Sequence, residues 1–281
     1  MTSVHLPRDL DELWDVLDNT PDAAVYAGGT DLLVRLRNDR HEFGCFVCLE
    51  RIEELKGVTD LGDAVLIGAC TTHTQLLEHR LIANGFPILK RAIAVLASPP
   101  IRNMGTIGGN IVNASPAGDT LPPLYVLDGE VEIRSRSRTT KMKVDEFITG
   151  PGRTSLRRGE IVSGVKLVKP AGYNIHYYEK VGARRSQTCA VVSLAALLSV
   201  ADGGVIEAVR LAWGSIGPTV VTLPQVEEEM RGKHLSRETL AAAAKSVSEL
   251  VCPIDDIRAT ADYRRAVAGR LLFRLENLPV R

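Results

Sequence analysis

The 281-residue sequence lacks an excess of either charge: 34 Lys and Arg stand against 34 Asp and Glu. Surfaces that bind nucleic acid or anionic lipid need many uncompensated cations, so neither is expected as a main partner. A long apolar run is also missing. The longest, Ala190 to Ala201 (AVVSLAALLSVA), is interrupted by Ser193 and Ser199. It falls short of the roughly 20 residues a membrane span needs and reads as a buried core element. Met1 to Leu10 shows no basic segment followed by an apolar stretch and a cleavage site, so a cytoplasmic chain is expected. Five scattered cysteines, Cys45, Cys48, Cys70, Cys189 and Cys252, make no disulfide framework and are read as reduced thiols. Cys45 and Cys48 form C-x-x-C, but FGCFVCLE is apolar and strand-like and no second pair follows at zinc spacing, so buried strand cysteines are expected. The signatures of zinc peptidases, nucleophile elbows, P-loops and dinucleotide-binding turns are all absent. The histidines offer no facial pair, since His73 and His79 lie six apart and the rest are isolated. No catalytic side chain and no metal ligand is therefore assigned.

What is present is an ordinary globular composition, 45% hydrophobic and 24% charged, at a length that favours about two domains. The chain opens with a helix: Pro7 is placed in its first turn, Asp9, Asp11 and Glu12 complement its dipole, and Leu10, Leu13 and Leu17 repeat at helical spacing. A short strand over Ala23 to Ala27 breaks into Gly28-Gly29-Thr30-Asp31, and Leu32, Leu33 and Leu36 begin a brief helix. Phe43 to Leu49 reads as a strand, and Val58 to Ala69 as a hairpin. These features give a small α/β unit over residues 1–55.

Thr72 to His79 and Pro87 to Ala97 read as helices, the second stopped by Pro99-Pro100. From Pro99 to Pro123 the chain (PPIRNMGTIGGNIVNASPAGDTLPP) is predicted to be a long, packed, irregular loop. Sheet follows in Val131 to Ser135, Lys141 to Val144 and Ile161 to Val168, with Arg134, Arg136, Arg138, Lys141 and Lys143 on a solvated hairpin face. Beyond Tyr173, strands at Tyr177 to Val181, Cys189 to Val200 and Val205 to Trp213 precede helices at Gln225 to Met230, Arg237 to Val251 and Ala261 to Glu276. Strands first and helices after predict a separate α+β domain over 171–281, leaving 56–170 as a middle region.

Two glycine pairs carry the functional reading. Loss of Cβ at Gly28 and Gly29 lets the backbone turn through positive φ and aim successive N–H groups at one point, a nest for an anion; a plain tight turn is the alternative. Thr106-Ile107-Gly108-Gly109-Asn110 repeats the pattern, with Asn113, Ser115 and Asp119 downstream as groups for a hydroxyl-rich ligand. Two nests beside hydroxyl acceptors suit a dinucleotide, its pyrophosphate on N–H groups and a ribose on a carboxylate.

Together AGGTDLL (Ala27 to Leu33) and IRNMGTIGGNIVNASPAGD (Ile101 to Asp119) resemble the FAD-binding medium subunits of the molybdenum hydroxylases, a family that includes xanthine and molybdenum-type carbon monoxide dehydrogenases. The resemblance covers essentially the whole chain. It implies an α+β fold of the vanillyl-alcohol-oxidase type: FAD-binding subdomains at 1–55 and 56–170, and the family's flavoprotein C-terminal domain at 171–281. It also implies main-chain contacts to the pyrophosphate from Ala27, Gly28, Gly29, Thr30, Asp31 and Leu32, and a second phosphate and flavin contact from Thr106, Gly109, Asn110 and Asn113. Asp119 would take ribose hydroxyls, Ala97 and Ser98 would line the adenosine or ribityl side, and Ile161 would pack against the ring. Lys180, in Tyr178-Glu179-Lys180, matches a lysine near the flavin, a solvated strand lysine being the alternative. By the same resemblance, molybdopterin and two [2Fe–2S] clusters belong on a large and a small partner subunit, in a dimer of heterotrimers. A self-contained flavin oxidoreductase of the same fold and a cofactor-free scaffold subunit are the rival readings.

Overall fold

A computed structural model describes residues 3–39, 44–184, 188–276 and 278. The chain begins with a short strand absent from the sequence reading, β1 (Ser3–His5), then α1 (Leu10–Asn19). Asp9 caps α1 by accepting the Glu12 N–H, which sets the helix start and leaves Pro7 two residues ahead of the cap rather than in the first turn. Leu10, Leu13, Trp14 and Leu17 form the buried face, each contributing roughly 1.5–3 kcal/mol of burial. There follow β2 (Ala24–Tyr26), α2 (Leu32–Asp39) and β3 (Cys45–Cys48), the strand that holds the C-x-x-C pair; Phe43, read as the start of that strand, lies outside the described residues. The hairpin is β4 (Val58–Asp60) and β5 (Ala64–Gly68), and α3 (His73–Glu78) opens with a capping box between Thr72 and Gln75.

After α4 (Arg80–Gly85) and α5 (Pro87–Val95) comes the segment expected to be irregular. It is instead largely helical, with α6 (Pro99–Met104), α7 (Ile107–Asn113) and α8 (Leu121–Val126). α5 already ends at Val95, and Pro99-Pro100, expected to stop it, instead start α6, as Pro122 stands in the first turn of α8, because a proline there gives up an N–H that has no partner anyway. Each helix is too short for a periodic apolar stripe, which is why the sequence pattern read as loop. The chain continues with β6 (Glu130–Arg134), β7 (Thr139–Lys143), α9 (Val144–Phe147), β8 (Ile148–Gly150), β9 (Arg153–Thr154) and β10 (Ile161–Val168). It then runs through β11 (Ile175–Val181), β12 (Val192–Val200), β13 (Ile206–Gly214), β14 (Val221–Thr222), α10 (Pro224–Met230), α11 (Arg237–Leu250) and α12 (Ala261–Arg270).

The architecture is α+β, in two compact units. The first comprises Met1–Leu81, Ser98–Ala114 and Asp128–Val168. Within it β1 and β2 pair in parallel with a central β3, and α1 buries its apolar face against Val47, Leu49, Ile52 and Leu55. A second, antiparallel sheet has the order β4-β5-β10-β6-β7, and its β6–β7 hairpin leaves Arg136, Arg138, Lys141 and Lys143 exposed.

The second unit comprises Ile82–Ala97, Ser115–Leu127 and Lys169–Arg281. Its antiparallel sheet runs β11-β12-β13-β14. Residues of α10, α11 and α12 share one core with this sheet, around a fully buried Trp213 whose indole N–H donates to the Ala268 carbonyl at 3.2 Å. α5 packs on β11, and α8 on β12 and β13. Central β12 is thus buried on both faces, the physical reason its sequence is a continuous apolar run rather than an alternation.

Candidate functional site

In the first unit β2 leads into α2 through Gly28-Gly29-Thr30-Asp31, and the two glycines answer different needs. A Cβ on Gly28 would lie 1.7 Å from the Met104 carbonyl oxygen, so the main chain of α6 passes where a side chain would start. Gly29 has φ +67°, the left-handed region that costs an L-residue roughly 1–2 kcal/mol. Among the described residues, none of the N–H groups of Gly28, Gly29, Thr30, Asp31 and Leu32 has an acceptor. Five open amides at the positive end of a helix dipole form a donor set suited to a phosphate anion.

The second glycine pair differs from the expected nest. Gly108 and Gly109 lie inside the first turn of α7, and its amides are already used. Ile107 N–H donates to Thr71 O at 3.1 Å, Gly108 N–H to Ala69 O at 2.9 Å, Gly109 N–H to the Thr106 hydroxyl at 3.1 Å and Asn110 N–H to Thr106 O at 3.0 Å. A Cβ on Gly108 would meet the Ala69 Cβ at 2.5 Å, so this glycine serves helix packing. Gly109 is exposed, and a Cβ there would touch only the Thr106 hydroxyl, at 3.0 Å. It presents bare backbone outward.

Side chains join the two glycine segments within this unit. Asp31 pairs with Arg35 one turn along α2 (Oδ2 to Nε, 2.6 Å), Arg35 Nη2 donates to Asn113 Oδ1, and Asn113 Nδ2 donates to Asp31 Oδ1 at 3.3 Å. Arg35 was missed in the sequence, although its i,i+4 spacing from Asp31 is the legible signal. His73 lies beside Gly105: its backbone N–H donates to Gly105 O at 3.0 Å, and its Cδ2 and the Thr30 hydroxyl both lie 3.4 Å from where a Gly105 Cβ would stand. The ring is buried and Nδ1 has no partner among the described residues. Burial, then the nearby Arg102 charge, lowers its pKa to about 4, so it is neutral at pH 7. Ile161 is 2% exposed, in the core cluster of Leu13 and Trp14, so protein atoms already surround it.

The second unit holds the other expected residues. Lys180 Nζ meets Asp119 Oδ2 at 2.6 Å, the Tyr178 hydroxyl donates to Asp119 Oδ1 at 3.1 Å, and Lys180 also donates to Val95 O at 3.4 Å. The Lys180 and Asp119 side chains are 4% and 7% exposed. Burial raises the Asp119 pKa, and Lys180 and Tyr178 pull it back down. The two residues assigned separate roles in the sequence are therefore one buried, charge-neutral pair, and the solvated alternative for Lys180 is excluded. Ala97, after α5, has φ +42°, a strained conformation for a residue with a Cβ.

Comparison with known proteins bears on what this arrangement holds. Residues 1–169 match the family described as the FAD binding domain in molybdopterin dehydrogenase, and residues 176–277 match the CO dehydrogenase flavoprotein C-terminal domain. The xanthine dehydrogenase FAD-binding subunit of Escherichia coli O157:H7 is 31% identical over 264 residues, covering 93% of this chain and 90% of that protein. Quinoline 2-oxidoreductase from Pseudomonas putida 86 superposes with a TM-score of 0.93 at 27% identity, covering 98% of this chain and 95% of that one. Carbon monoxide dehydrogenase from Hydrogenophaga pseudoflava gives 0.91 at 27% identity, covering 97% and 95%.

Proposed function

Because the chain belongs to the family of FAD-binding subunits of the molybdopterin dehydrogenases, we propose that the open amides of Gly28 to Leu32 hold the diphosphate of FAD. The single observation that carries this assignment is the run of five N–H groups at the start of α2 with no acceptor among the described residues, in a family defined by FAD binding. The chain is the flavoprotein subunit of an oxidoreductase. FAD supplies the redox centre when bound; the protein's part is to hold and orient it.

In this reading Ala27 ends the strand that delivers the amides, and Thr106 fixes the first turn of α7 so that the bare backbone of Gly109 faces outward beside Asn110 and Asn113. In the second unit, Asp119 and Lys180 act together, each holding the other's charge in place. Ile161 contributes by packing the core. The partners are a large molybdopterin subunit, where substrate is oxidised, and a small subunit with two [2Fe–2S] clusters. Electrons reach this chain from the small subunit and leave to an external acceptor. The complex is a cytoplasmic dimer of heterotrimers; among the described residues no helix is long and apolar enough to cross a membrane.

Affinity purification from the native host, with an absorbance spectrum and metal analysis, tests the proposal. Flavin bands with iron, molybdenum and two further polypeptides are expected. A lone yellow chain without metals overturns the partner assignment, and a colourless complex overturns the cofactor assignment.

A further inference from the structure

Arg35 is a cation fixed beside the open amides of the first unit. It stands one turn into α2, and helical side chains lean toward the N-terminus, which carries the guanidinium back over the first turn. Exposed arginines ordinarily sample many rotamers. This one is held by a carboxylate in the turn just before its helix and an amide at the end of α7. Of its five N–H donors, Nε faces Asp31 and one on Nη2 faces Asn113, while Nη1 has no partner among the described residues.

The charge balance gives this tie a purpose. Aligned amides at a helix start amount to about half a positive charge, whereas the diphosphate of a dinucleotide carries two negative ones. Asp31 adds a further carboxylate at the edge of the same amides. An anion would be repelled there unless a cation offset the aspartate, and Arg35 is placed to do so. We propose that Arg35 donates from its free Nη edge to the cofactor's diphosphate, with Asp31 and Asn113 holding the guanidinium in position. The inference rests on the reading of Gly28 to Leu32 as the diphosphate cradle. Pre-positioning lowers the ordering cost at binding, and a charge-assisted contact makes affinity depend on salt.

The test uses the full chain stripped of flavin and titrated with FAD, ADP and riboflavin over a range of salt concentrations. Arg35→Ala is expected to weaken FAD and ADP by about tenfold or more, to flatten their salt dependence and to leave riboflavin, which has no diphosphate, unchanged. Asp31→Asn, which loosens the tie but keeps the cation, is expected to retain the salt dependence of FAD binding that Arg35→Ala loses. Wild-type affinity and salt dependence in Arg35→Ala would overturn the inference alone. So would equal weakening of FAD and riboflavin in both variants, the mark of a merely structural tie. A wild-type chain that takes up neither FAD nor ADP overturns the cradle, and this inference with it.

Discussion

The two glycine pairs of the first unit look interchangeable in sequence and are opposites in structure. Gly28-Gly29 precedes its helix and begins a run of five open amides, whereas Gly108-Gly109 lies within its helix and has its two amides paired to the Ala69 carbonyl and the Thr106 hydroxyl. A glycine pair is thus not one device. Where the pair sits relative to the first hydrogen-bonded turn decides whether its amides are available.

The largest expected break in this contrast is Gly28→Ala. Its Cβ would overlap a main-chain oxygen rather than a movable side chain, so a loss of about 3 kcal/mol or more is expected in denaturant unfolding, together with loss of FAD retention.

Acid should come next, through His73. Its pKa lies at about 4 in the folded chain and near 6.5 in the unfolded chain, so the unfolded state binds the proton first as pH falls. Stability is therefore retained above about pH 6.5 and lost as pH drops toward 4, by about 3 kcal/mol from this group. Unfolding measured across that window should show a shallower acid loss in His73→Asn than in the wild type.

Gly29→Ala should cost about 1 kcal/mol, because only the positive φ opposes it; the nearest atom to its Cβ is Leu33 Cδ1 at 3.4 Å. The smallest stability change belongs to Gly109→Ala, where better helix propensity offsets the crowding of the Thr106 hydroxyl and the net change stays within about 0.5 kcal/mol. Gly109→Val sharpens the contrast further: a branched side chain on that exposed backbone should abolish FAD retention in a chain that still folds. Normal flavin occupancy in that variant would remove Gly109 from the site.

Much of this was legible in the sequence because it depends on local pattern. The 3.6-residue spacing of Leu10, Leu13 and Leu17 marks α1, the apolar run at Ala190 marks a strand buried on both faces, and AGGTDLL marks the strand, turn and helix that carry the open amides. What stayed hidden rests on ambiguous local signals or on contacts distant in sequence. The helices α6 to α8 are fixed by first-turn prolines and by a cap at Thr106, signals that read equally well as loop. That Gly108 packs on Ala69, or that Asp119 and Lys180 find each other across 61 positions, follows only from the folded chain.

The Asp119–Lys180 pair also constrains how this protein can change over time. Losing either partner alone leaves the other as an uncompensated interior charge, at a cost of about 3–5 kcal/mol, against a total stability of about 5–15 kcal/mol for an ordinary domain. A descendant that abandons one must abandon both, or pass through an ancestor close to unfolding. The two positions are therefore expected to change together, although neither is the other's neighbour in the gene.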